Sequence, residues 1–161
     1  MDADRVVAEF TGLVRNFCHV SEHCFEDREK EIELIREIVA ALYASAFALP
    51  MVDGEIYESP KVGEGISQAI FQRFGSLPFN YYNCIDTPHA IPARESSVGD
   101  LADDLRDIYV DLKSGLFFYD AGDVEQAVLE WKSSFHFHWG QHAVNVLYVL
   151  HCYRSRARHD L

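Results

Sequence analysis

Proline is missing from most of the chain. Pro50, Pro60, Pro78, Pro88 and Pro92 all lie in one stretch, and the segments on either side have none. Proline breaks helix interiors and central strands, so this distribution predicts two helix-competent flanks around an irregular middle. Positive charge is also scarce: 26 Asp and Glu stand against 14 Lys and Arg, a formal net charge of −12. That balance repels phosphate and argues against nucleic acid as a partner. Long apolar runs are absent. The longest, Ile38 to Leu49, is interrupted by Ser45 and stopped by Pro50, short of the roughly 20 residues that span a bilayer, so no membrane association is expected. The opening MDADRVVAEF has no apolar core of a secretory leader. Cys18, Cys24, Cys84 and Cys152 form no CxxC pair, which fits reduced thiols in the cytoplasm. No repeat or low-complexity segment is visible.

What is present is an ordinary globular composition of 161 residues, 48% hydrophobic and 25% charged. Residues 1–161 are read as one helical domain with an irregular insertion at about 50–96. Val6, Phe10, Leu13, Phe17, Val20 and Cys24 recur at helical spacing, with Asp2 or Asp4 as cap. The charged run Glu26 to Glu33, read as a solvated face, leads into Ile35, Ile38, Val39, Leu42, Ala46 and Leu49, a second stripe that Pro50 ends. A short helix is expected at Gly65 to Phe74 on Ile66, Ala69, Ile70 and Phe74, followed by FNYYNCID as an extended aromatic cover. No stretch alternates long enough to suggest a sheet.

The second flank is clearer. Ser97 and Asp100 are spaced as a capping-box variant before Leu101, Leu105, Ile108, Leu112, Leu116 and Tyr119. Asp120 to Asp123 is a turn with Gly122 in a left-handed position. Asp123 and Gln126 form a second capping box, and a last helix follows on Val124, Val128, Trp131, Phe135, Val146 and Val149 to about Arg156. Gly140 is its point of weakness for a bend. Arg154, Arg156 and Arg158 suit the negative end of that helix. The fold class is therefore all-α: a bundle of four main helices, with a proline-rich, aromatic crossover and one short helix between two helical hairpins.

At 100° per residue, Asp100, Asp104, Asp107 and Asp111 form an arc directly beside the apolar arc of their helix. Arg106 and Lys113 project to the other side and are not expected to neutralise it. Like charges at this spacing cost roughly 0.2–0.5 kcal/mol per pair; the helix N-terminus offsets this for Asp100, Asp103 and Asp104 but not for Asp111. The same projection places His138 and His142 inside the apolar arc of the last helix. Asp104 and Trp139 stand at matching distances from the Asp120–Asp123 turn, so an antiparallel hairpin brings Asp104 and Asp107 near His138 and His142. One reading is a structural network of Asp104, His138, Trp139 and His142 that fixes helix pairing. The other is a divalent-metal site of Asp104, Asp107, His138 and His142, whose ligand types suit zinc, manganese or iron. His19 and His23 share the i,i+4 spacing but project away from their helix's apolar face and read as surface residues.

Other chemistry is thin. HExxH, the Glu-x-x-His pairs of di-iron bundles, GxSxG, the P-loop and GxGxxG are all missing. Cys84 lies near His89 in sequence but not at a helix start, which disfavours a catalytic thiol. Helical nucleotide pyrophosphohydrolases pair ExxE with ExxD at short separation; here Glu26-x-x-Glu29 is far from Asp104-x-x-Asp107 and the region between is not expected to be helical.

The strings SVGDLADDLRDIYVDLKSGLFFYDAGD, AVLEWKSSFHFHWGQHAVNVL and ALYASAFALP resemble the bacterial domain-of-unknown-function family 5063. The likeness covers most of the chain and is strongest from Val98 to Leu147, while FNYYNCID matches loosely. The resemblance implies a compact all-helical bacterial protein and no particular activity. It places Asp104, His138, Trp139, Gly140 and His142 within the family's pattern.

The first functional expectation is a non-catalytic, cytoplasmic domain that binds another protein, without cofactor, using its acidic surface. The alternative is a divalent-metal-dependent hydrolase or metal binder built on the Asp–His cluster. A third is an acidic decoy for DNA-binding proteins, which needs the acids on one continuous outer face. Substrate and oligomeric state are not legible.

Overall fold

Caps and stripes dictate where each helix starts and which face it buries. The computed structural model describes residues 2–157 except 57, 59, 86–87 and 92–95, with the side chains of 156 and 157 also outside the described set. Helix α1 (Ala3–Glu22) is capped by Asp2 and α2 (Arg28–Ala46) by Asp27, each carboxylate accepting a first-turn N–H. Helix α3 (Glu64–Phe74) is short and buries only Ile70 and Phe74; Ile66, expected in the core, is 52% exposed. Helix α4 (Leu101–Asp120) starts at Asp100, whose side chain accepts from the Ala102 and Asp103 N–H groups. The last segment runs as α5 (Val124–Ser134), a π-helical turn (Phe135–Trp139) and α6 (Gly140–Ala157) without a break. The architecture is the expected bundle of four main helices.

The crossover departs from expectation. Tyr81–Cys84 (β1) and Ser97–Asp100 (β2) pair as a two-stranded antiparallel sheet, Tyr82 opposite Gly99. Four residues per strand are too few for alternation to be seen in the sequence, and Ser97 is spent in this ladder instead of a capping box. A Cβ on Gly99 would lie 2.3 Å from the Tyr82 ring, so the glycine is what lets that ring lie across the strand.

Helix α4 is the hub and touches α1, α3, α5 and α6, while α2 packs on α1 and α6. Leu101, Leu105, Ile108 and Leu112 are fully buried, each contributing roughly 1.5–3 kcal/mol by leaving water. Trp131 lies against Gly115, where a Cβ would sit 2.2 Å from its Nε1, and that Nε1 donates to the Leu112 carbonyl at 3.0 Å. This glycine fixes how closely α5 approaches α4.

The run Glu26 to Glu33 is not merely a solvated face. Glu31 is fully buried, paired with Arg28 at 2.7 Å and with Arg73 of α3. Arg73 also donates to the Val20 and His23 carbonyls at the end of α1. The error came from reading charge as exposure: a carboxylate can be buried once cations from two helices close over it. At the other end, Arg154 reaches back to Glu29 and Glu33 on α2; Arg158 and the Arg156 side chain lie outside the described residues. Cys18 is buried, which pushes its thiol up to about 12, and His19 and His23 are exposed as expected. No helix among the described residues is long and apolar enough to cross a membrane.

Candidate metal centre

Helix α4 delivers three carboxylates, from Asp104, Asp107 and Asp111, along one edge. Helix α6 and the turn before it deliver the imidazoles, and the π turn decides how they arrive. A turn with i→i+5 bonding holds one extra residue, so the helix slips by about one position. Trp139 takes the inward place expected of His138 and is fully buried; Ala143, Val146 and Leu150 follow it into the core. His138 moves to the rim, its side chain half exposed, and His142 is left at the boundary at 21%. The expectation that both rings face the core is therefore corrected. The acids also lie beside the core and not in it, so the two groups still meet.

Gly140 permits the slip. A Cβ there would lie 2.3 Å from the Phe135 carbonyl oxygen. The helical run continues through Gly140, and Trp139 Nε1 donates to the Trp131 carbonyl at 3.2 Å.

His142 Nδ1 lies 2.6 Å from Asp104 Oδ1, and His138 Nδ1 lies 2.8 Å from Asp111 Oδ2. An ionised carboxylate only accepts, so each Nδ1 is the donor of its pair, and a neutral ring in that tautomer has its lone pair on Nε2. Both Nε2 atoms face Asp107 Oδ2, at 3.5 Å from His142 and 4.0 Å from His138. One ligand atom from each of the three residues fits within 4.8 Å of the others. Ligand atoms at 2.0–2.2 Å around a tetrahedral ion stand about 3.3–3.6 Å apart, so closing this set takes only small side-chain rotations.

Asp107 Oδ1, on the other side of the carboxylate, is 2.7 Å from Arg106 Nη2, which also reaches Asp103 at 2.6 Å. This corrects the expectation that Arg106 cannot neutralise the stripe: its Cα direction is wrong, but a long guanidinium arm curls back over one position. Lys113 does point away, to Glu22.

Tyr82, from β1, donates its hydroxyl to Asp104 Oδ2. Burial first, and then the Asp104 hydrogen bond and charge, push the phenol upward, so it stays protonated as a donor. For His142, burial pulls down, but the Asp104 hydrogen bond and the charges of Asp104, Asp107 and Asp103 outweigh it and the net shift is upward. Burial raises Asp111 against the opposing hydrogen bond from His138, and burial with the Asp107 charge raises Asp103 against Arg106.

The structure thus brings together Asp104, Asp107, His138 and His142, while Trp139 serves only as a core anchor. Sequence reasoning omitted Asp111 from the site, although it extends the same i,i+4 row. It also missed Tyr82, since nothing in FNYYNCID marks which tyrosine turns inward.

Fold and cluster together define a class: a helical bundle whose last hairpin carries a histidine–carboxylate cluster at its edge. The chain belongs to the family described as Domain of unknown function (DUF5063), whose model matches residues 1–156. It is similar to the crystal structure of protein BF1032 from Bacteroides fragilis, at 25% identity and TM-score 0.74, covering 92% of this chain and 91% of that one. No curated protein matches it.

Proposed function

We propose that the α4–α6 edge binds a divalent transition-metal ion through Asp107 Oδ2, His138 Nε2 and His142 Nε2, and that this ion activates water for hydrolysis. The observation that carries the reading is the shared orientation of the rings: each Nδ1 is engaged by its own carboxylate, and both Nε2 atoms turn to one Asp107 oxygen. Carboxylates behind metal-binding histidines fix the tautomer and raise ligand basicity. Asp104 and Asp111 stand where that role requires. Three carboxylates against the one Arg106 guanidinium leave a surplus of negative charge that a divalent cation balances. The half-exposed His138 keeps the site open on one side, and three protein ligands with one open position is the pattern of a hydrolytic zinc centre; manganese and iron accept the same donors.

The test is the metal content of protein purified without a histidine tag. The expected result is about one equivalent in the wild type and loss in His142→Ala and Asp107→Asn, both still helical by circular dichroism. A folded wild type that takes up no zinc, manganese or iron on titration overturns the reading.

A second reading is favoured by the hydrogen bonds that already close Asp104 on His142 and Asp111 on His138. There the cluster is a structural clamp between α4 and α6, within a non-catalytic domain whose acidic surface meets a basic protein partner. On that reading His142→Ala lowers the melting temperature strongly and no metal is found in either protein.

A further inference from the structure

We propose a second binding site, independent of the metal reading, for a medium-chain aliphatic carboxylate in the cleft between the end of α2 and the junction of α5 with the π turn. The cleft has a volume of about 430 Å³, within the range of small-molecule sites. Its walls are apolar: Phe47, Met51, Val52, Leu129 and Phe135. Two of these stand far out at the mouth, Phe47 at 68% and Met51 at 82% exposure, so an apolar body laid between them removes surface that folding has left in water. A shallower depression of about 290 Å³ shares Phe47 and Phe135 and continues toward Val144, giving an alkyl tail a path along the helix.

The head group is chosen by charge. In a chain of net charge −12, none of the residues lining this cleft is acidic. Its cation is Lys132, half-buried, with Nζ held 2.8 Å from the Leu49 carbonyl. That bond uses one of three ammonium donors. Among the described residues the other half-buried cations (Arg28, Arg36, Arg73, Arg106, Lys113 and Arg154) are each paired with a carboxylate, whereas Lys132 has no such partner. Ser133 and His136 stand on the same wall and add hydrogen-bonding groups. A carboxylate on Lys132 supplies the missing charge while the chain covers Phe47 and Met51.

The test titrates EDTA-treated protein with octanoate, and separately with octan-1-ol, by heteronuclear NMR. Octanoate is expected to bind about tenfold or more tighter than the alcohol, with shifts centred on Phe47, Leu129 and Phe135. Lys132→Gln should reduce octanoate to the affinity of octanol, and Lys132→Arg should restore the preference. Leu129→Trp, which fills the cleft and leaves the Lys132–Leu49 bond in place, should abolish both. Equal binding of acid and alcohol, no binding of either, or an unchanged octanoate affinity in Lys132→Gln overturns the proposal. Because the protein is metal-free, none of these outcomes bears on the metal centre.

Discussion

Two clusters of charge in this bundle are built on opposite rules. At the corner of α1, α2 and α3, one fully buried carboxylate, Glu31, is met by two guanidinium groups, Arg28 and Arg73, and Arg73 spends further donors on the end of α1. The carboxylate there is sealed and Arg73 is nearly so, while Arg28 keeps about a third of its side chain in solvent. At the α4–α6 edge, three carboxylates face two titratable imidazoles, with a single guanidinium behind Asp107. That cluster is open to solvent and electrically incomplete. The first has what a structural joint needs; the second keeps a deficit that a cation can fill. The two sites should therefore respond differently to the same kind of mutation.

The largest effect is expected at the sealed corner. Arg73→Met leaves Glu31 buried with only the half-exposed Arg28, and breaking such a pair costs about 3–5 kcal/mol. The matching change at the open cluster, Asp107→Asn, removes one of three neighbouring like charges and should leave metal-free stability within about 1 kcal/mol. Denaturant unfolding of both variants checks this. Comparable losses at the two sites would make the α4–α6 cluster a second structural joint and remove the reason to read it as a site.

Gly140→Ala comes next. Its Cβ has no room beside the Phe135 carbonyl, so the π turn must distort or revert to a regular helix. We expect about 1–3 kcal/mol of destabilisation, typical of overpacking, together with loss of metal binding because His138 and His142 change register. Retained affinity at full stoichiometry would show that the extra residue in the turn does not aim the rings.

That turn also marks where the sequence stopped being readable. The stripes on α1, α2 and α4 and the caps Asp2 and Asp123 follow from local rules, and so does the hairpin that sets Asp104 opposite His142; the cap of α4 is Asp100 itself and not Ser97, which the strand takes. The π turn does not, because a projection at 100° per residue assumes the hydrogen-bond pattern that Phe135–Trp139 abandons. The projection therefore puts His138 in the inward position that Trp139 occupies. Tyr82 and the Glu31–Arg73 pair were hidden for a different reason: each joins segments whose contact only the tertiary fold decides. Arg106 was misjudged because a Cα direction does not bound the reach of a long side chain.

Tyr82→Phe should have a smaller effect. It removes a hydrogen bond to a nearly buried carboxylate, worth about 1–2 kcal/mol, and leaves the ring on Gly99. Through Asp104 it also loosens the support of His142, and outer partners of this kind change metal affinity by roughly 10–100-fold. A calorimetric titration with zinc separates the alternatives. Weaker binding in Tyr82→Phe supports the chain Tyr82–Asp104–His142 as one unit, whereas a stability loss with unchanged affinity confines Tyr82 to packing.

The smallest effect distinguishes the clusters by their response to pH. His142 is shifted upward in the folded protein, so the fold holds its proton more tightly than the unfolded chain does. Its contribution to stability is complete below the unfolded value of about 6.5 and is lost as pH rises through the folded value. Metal-free protein should therefore melt at a lower temperature as pH rises through neutrality, and His142→Gln should flatten that slope. The sealed corner adds none of it, since Arg28 and Arg73 keep their charges throughout. With zinc present the slope should reverse, because the ion competes with the proton for Nε2 and binds better as the rings lose it. Parallel slopes with and without metal would mean that the imidazoles are not its ligands.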